Sequence, residues 1–130
     1  MHIADYYGLF SSSPHATNLA LTIGLEGRKN QRERAEGKAA EVVAELIDDT
    51  MTPRDKLLAL HDYVVLNCTY DNKGAMNKDF APDKIFSAYG MLLEGNAVCD
   101  GYSAAFALLC KYAGIPCIQV LNPDMDGVGH

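Results

Sequence analysis

The stretch Asn96-Ala97-Val98-Cys99-Asp100-Gly101-Tyr102-Ser103 holds the residue types and spacing that can do chemistry. It ends a loop, opens a helix and places Cys99 in the first turn of that helix. Tyr102, Phe106, Leu109 and Ala113 recur at three- and four-residue intervals, which predicts one buried face, and Gly114 ends the helix. Backbone N–H groups in a first turn have no intrahelical partner, and the helix dipole is positive there, so an anion is favoured. A thiolate is such an anion, and it is a nucleophile. A buried cysteine at a helix start is also a common structural residue, so the position alone leaves both readings open.

The elements that must position this helix precede it. Residues 31–49 predict an amphipathic helix, with Val42, Val43, Leu46 and Ile47 on one side and Glu41, Glu45 and Asp48 on the other. Thr52-Pro53-Arg54-Asp55 restarts the chain as an N-cap, a first-turn proline and an acid at the positive end of the dipole. Leu57, Leu60, His61, Val64 and Val65 then predict the buried stripe of a second helix, ending near Cys68, with His61 as a satisfied core histidine. Residues 70–82 read as a loop and 83–93 as a shorter helix broken by Gly95. After Gly114, residues 115–121 read as a buried strand bounded by Asn122-Pro123. A strand needs partners for its backbone, from the N-terminal third, from another chain or from sequence beyond this one.

The first thirty residues are less legible. Tyr6, Tyr7, Leu9 and Phe10 form an apolar knot, Ser11-Ser12-Ser13-Pro14 signals a turn, and residues 16–25 suit a strand or a helix equally. Asp124-Met125-Asp126-Gly127 lacks the closing glutamate of a calcium loop and reads as a turn.

At 130 residues the chain is one domain, or one domain with an appendage, and 48% hydrophobic content supplies a core. The net charge of −6 and the scatter of its Lys and Arg residues argue against a nucleic-acid surface, and the cluster Arg28, Lys29, Arg32 and Arg34 is interrupted by Glu33 and Glu36, as on a solvated helix face or linker. No stretch is long and apolar enough to span a membrane, and the start has no signal-peptide layout, so an export signal would have to lie outside this sequence. Cys68, Cys99, Cys110 and Cys117 form no CxxC pair, which argues against zinc. Cys110 and Cys117 could in principle meet, but both fall on apolar patterns and read as reduced core residues.

The run from Tyr89 through Gly90, Asn96, Cys99, Asp100-Gly101-Tyr102 and Ser103, then Phe106, Leu109, Ala113-Gly114-Ile115, Val120 and Gly129-His130, resembles the core of the bacterial transglutaminase-like superfamily. Upstream, Lys56-Leu57, His61-Asp62-Tyr63 and Asn67-Cys68-Thr69-Tyr70-Asp71 resemble the family's two-part lead-in. The resemblance implies an α+β, papain/transglutaminase-like core over residues 37–130, helices first and then the start of an antiparallel sheet. Residues 1–36 are then an N-terminal extension of uncertain structure. It also implies that Cys99 is the nucleophile and His130 the base, with no cofactor or metal. The acid that orients the histidine in this family follows it, as do an aromatic-Asn pair and further strands. The sequence ends at His130, so a core truncated at its C-terminus and impaired turnover are the expectation.

Tyr89, Tyr102 and Asn96 are candidates to line the site, with the Cys99 N–H as oxyanion donor, and Tyr89 and Tyr102 read equally well as core aromatics whose hydroxyls reach a partner. Asn96 presents a conflict, because as a helix N-cap it would occupy that donor. It is therefore expected to cap elsewhere or to point away. The implied activity is acyl transfer or amide hydrolysis through a thioester on a peptide or protein substrate. The alternative is a non-catalytic module that binds a protein or cell-surface polymer on the same fold. Apolar surface left bare by missing strands favours a homodimer or strand exchange.

Overall fold

The computed structural model describes residues 14–122. His130, the 1–13 knot and turn, and the 124–129 turn lie outside the described residues. Among the described residues, four helices carry the fold: α1 (Pro14–Leu46), α2 (Pro53–Leu66), the short α3 (Asn72–Met76) and α4 (Cys99–Tyr112). Two two-residue strands, β1 (Thr69–Tyr70) and β2 (Asn96–Ala97), flank a series of tight turns. These are 3₁₀ turns at Lys78–Phe80 and Asp83–Phe86 and a π-helical turn at Gly90–Glu94.

In α1, residues 16–25 are helical, so the ambiguous stretch joins the predicted amphipathic helix, which ends at Leu46 rather than Asp49. Ala35, Ala39 and Val42 are buried at helical spacing, and the two alanines let α4 approach closely. The predicted start of α2 is realised as a capping box. The Asp55 N–H donates to the Thr52 hydroxyl oxygen and the Thr52 N–H donates to the Asp55 carboxylate, both at 3.2 Å.

The α2 stripe is narrower than its sequence suggests. Leu60 and Val64 are buried and Tyr63 partly so, but Leu57, His61 and Val65 are exposed. Each residue advances about 100° around a helix, so positions one beyond Leu60 and Val64 rotate out of a contact confined to one neighbour's width. His61 is thus a surface residue, its Nδ1 3.2 Å from the Asp62 carboxylate.

The sheet also differs from the expectation. β1 and β2 run parallel, pairing Thr69 with Asn96 and Tyr70 with Ala97, where an antiparallel start was expected after α4. Residues 115–121 form no strand, and Ile118, Val120 and Leu121 are exposed. Among the described residues no ladder partner reaches that segment, and an unpaired extended run is not a strand. Cys117 is likewise exposed rather than in the core, whereas Cys110 is buried as expected. The predicted helix over 83–93 is divided into its two tight turns, because Gly95 at φ 65° closes the second one and the chain must turn back into β2.

The core gathers around α4. Leu109 and Cys110 are fully buried with Val42 of α1, Leu60 of α2 and Met91 of the π turn. Gly101 makes the packing possible, since a Cβ there would lie 2.5 Å from the Ile85 carbonyl oxygen and 2.7 Å from the Ala97 Cβ. Gly90 is held similarly between the Lys84 and Asn96 carbonyls. None of the helices among the described residues is long and apolar enough to cross a membrane.

Two glycine substitutions should therefore have opposite signs in chemical denaturation. Gly101→Ala should destabilise the fold by about 1–3 kcal/mol, because both the helix and the 85–87 backbone must shift. Gly37→Ala, on α1 with open space around it, should stabilise by about 0.5–1 kcal/mol.

Candidate active site

Cys99 is the first residue of α4 and is half-buried. Val98 precedes it in an extended conformation, φ −101° and ψ −175°, and no side chain caps the helix. The Val98 N–H donates to the Ile85 carbonyl at 3.0 Å, and the Val98 carbonyl accepts from the Tyr102 N–H at 3.0 Å. The helix start is thereby fixed by backbone bonds on either side of Cys99.

Asn96 points away from the helix start. Its side-chain amide donates to the Asp71 carboxylate at 2.9 Å, and the other Asp71 oxygen accepts from the Gly74 N–H at 2.8 Å. The Asp71 N–H donates to the Ala97 carbonyl at 2.9 Å and the Thr69 N–H to the Gly95 carbonyl at 2.8 Å. The Gly74 N–H, then the Asn96 amide, hold the Asp71 carboxyl below its ordinary range. Asn96 and Asp71 thus fasten β1 to β2 directly before the cysteine.

Tyr102, one turn after Cys99, makes the second fastening. Its hydroxyl donates to the Cys68 carbonyl at 3.0 Å, and its ring centroid lies 6.0 Å from that of Tyr70, tilted by 31°. Burial, and then the bond to Cys68, push the phenol up to about 12.

Tyr89 faces α1. Its hydroxyl accepts from the Arg34 guanidinium at 3.1 Å, and that guanidinium also lies 5.5 Å over the ring. Tyr89 lines a cleft of about 900 Å³ between α1, residues 81–89 and α4, across which Arg28 meets Asp83 at 3.2 Å. Cys99 is not among the residues lining it. No cluster of three His, Cys, Asp or Glu side chains suited to a metal occurs among the described residues.

Sequence reasoning missed the structural part played by Asp71 and Arg34. The Asp71-Asn72-Lys73-Gly74 run carried a usable signal, because an aspartate three residues before a glycine at a helix start is an N-cap pattern. Arg34 carried none, since its partner is 55 residues away.

The family model described as the Transglutaminase-like superfamily matches residues 40–128 of this chain. Similar proteins include kyphoscoliosis peptidase of Mus musculus, 26% identical, and of Homo sapiens, 28% identical, each over 80 residues. Each match covers 62% of this chain and 12% of the relative's length. No solved structure gives a significant match.

The Tyr102 fastening has a pH signature. Folding raises this phenol from 10.0 to about 12, so its contribution to stability is fully present below the unfolded value and is lost as pH rises through the folded one. Tyr102→Phe should cost about 1 kcal/mol at neutral pH. It should also remove that component of the alkaline stability loss, as read from urea unfolding across the alkaline range.

Proposed function

The chain belongs to the transglutaminase-like superfamily, and from that premise we propose that Cys99 is the nucleophile of thiol-dependent acyl transfer or amide hydrolysis on a peptide or protein. The reading assigns the catalytic core to residues 37–130, with residues 1–36 as an extension. The observation that carries it is the position of a half-buried cysteine as the first residue of α4, with no side chain capping that helix. Backbone donors and the positive end of the dipole then remain for the charges that the chemistry creates.

In this mechanism His130 accepts the Cys99 proton and the thiolate sulfur attacks the amide carbonyl carbon. The carbonyl oxygen becomes an oxyanion facing the Cys99 N–H. Collapse of the adduct breaks the C–N bond, and the leaving amine takes the proton from His130. The resulting thioester is resolved by water, giving hydrolysis, or by an amine, giving transfer. The matched relatives are named peptidases, which supports a peptide bond as substrate and water as the acceptor. Tyr102 and Asn96 serve as positioning residues, because they hold the strands and the helix start in register around Cys99.

A limiting iodoacetamide pulse near neutral pH, followed by peptide mapping, tests the assignment. Cys99 should be alkylated fastest, ahead of the exposed Cys117 and the half-buried Cys68. Cys110 should be slowest, since it is buried and its thiol is pushed up to about 11. His130→Ala should remove the lead of Cys99. Faster labelling of Cys117 than of Cys99 would contradict the proposal.

A further inference from the structure

The two short strands aim a tyrosine at the first turn of α4. In their parallel register Tyr70 stands opposite Ala97, and side chains directly opposite one another in a ladder leave the sheet on the same side. Ala97 is fully buried, and a Cβ at Gly101 would lie 2.7 Å from its own, so that side faces α4. Tyr70 accordingly meets Tyr102 on the helix, their ring centroids 6.0 Å apart and the planes tilted by 31°. Tyr102 is held from its far end, where the hydroxyl donates to the Cys68 carbonyl at 3.0 Å. Its ring is therefore a fixed backing, and Tyr70 rests on it while remaining 40% exposed.

Both rings stand close to Cys99. Tyr102 follows it by three residues, about 4.5 Å along the helix axis and about 60° around it, so the two side chains share a face. For Tyr70 the register sets a limit, because neighbouring strands lie about 4.8 Å apart and each chain step spans at most about 3.8 Å. With Ala97 two residues before Cys99, the Tyr70 and Cys99 Cα atoms are at most about 12 Å apart. A peptide residue whose carbonyl carbon meets the Cys99 sulfur, or its immediate neighbour, spans that distance with its side chain. An aromatic surface set in place beforehand suits an aromatic side chain, which gains ring contact without ordering the protein. Resting on the assignment of Cys99 as nucleophile, we propose that Tyr70, backed by Tyr102, is a specificity-determining surface of the site. It takes an aromatic side chain of the peptide, next to the amide that Cys99 attacks.

Two alkylating reagents that differ only in a ring test this. Iodoacetamide and N-benzyl iodoacetamide are reacted with the whole chain in separate limiting pulses. In each the thiolate sulfur displaces iodide, and peptide mapping gives the rate at Cys99 and at the exposed Cys117. Both reagents meet the same thiol, so its own reactivity cancels in the ratio of the two rates and the ring contact remains. That ratio at Cys99 should exceed the ratio at Cys117 by about threefold or more. Tyr70→Phe should keep the excess and Tyr70→Ala should abolish it, with far-ultraviolet circular dichroism checking the fold of each. Equal ratios at Cys99 and Cys117 in the unaltered chain would overturn the proposal, and so would an excess that survives Tyr70→Ala. The nucleophile assignment is read separately, from the lead of Cys99 over Cys117 with iodoacetamide alone. A lost lead with a persisting excess removes the nucleophile and keeps the aromatic surface; a kept lead with equal ratios does the reverse.

Discussion

The close approach of backbones at Gly101 is the constraint on which the rest of the structure depends. With no Cβ at that position, the first turn of α4 rests against the Ile85 and Ser87 carbonyls and against Ala97. That contact brings the Val98 N–H within 3.0 Å of the Ile85 carbonyl, and so decides where Cys99 begins the helix. Gly90 does the same for the return of the π turn beneath β2. The apolar side of α4 then has one seating, between Ala35, Ala39 and Val42 of α1 and Leu60 and Val64 of α2. Hydrophobic burial supplies the driving force, and the glycines decide its geometry.

Polar groups around the helix start divide the work so that the start itself stays open. Asn96 would be the natural cap by sequence, but Asp71 takes its amide and turns it toward β1. Tyr102 spends its hydroxyl on the Cys68 carbonyl, which anchors the lead-in segment to α4 one turn beyond the cysteine. Both bonds join residues far apart in sequence across the same junction. A side-chain cap on α4 would satisfy a donor; none is made, and in the proposed mechanism that donor faces the oxyanion.

Much of this was legible from local pattern. The helix start at Cys99, the stop at Gly114 and the Thr52-Pro53-Arg54-Asp55 cap each depend on residues within a few positions of one another, where propensity and hydrogen-bond geometry are decisive. The outward placement of Asn96 followed from chemistry rather than pattern, because one donor cannot serve both a cap and an oxyanion. What pattern could not supply was width and partnership. Leu57, His61 and Val65 share helical spacing with Leu60 and Val64, yet a narrow contact leaves them outside. Residues 115–121 have strand composition without a described ladder partner. The parallel pairing of β1 with β2 joins segments 27 residues apart in register, from two-residue strands too short to carry a period.

The central claim is that Cys99 forms a covalent acyl intermediate, and acid-quenched mass spectrometry after incubation with a small activated acyl ester tests it most directly. The account predicts an acyl thioester on Cys99, released by hydroxylamine and missing in Cys99→Ala. Acylation confined to the exposed Cys117, or none on Cys99 while the chain remains folded, would contradict it.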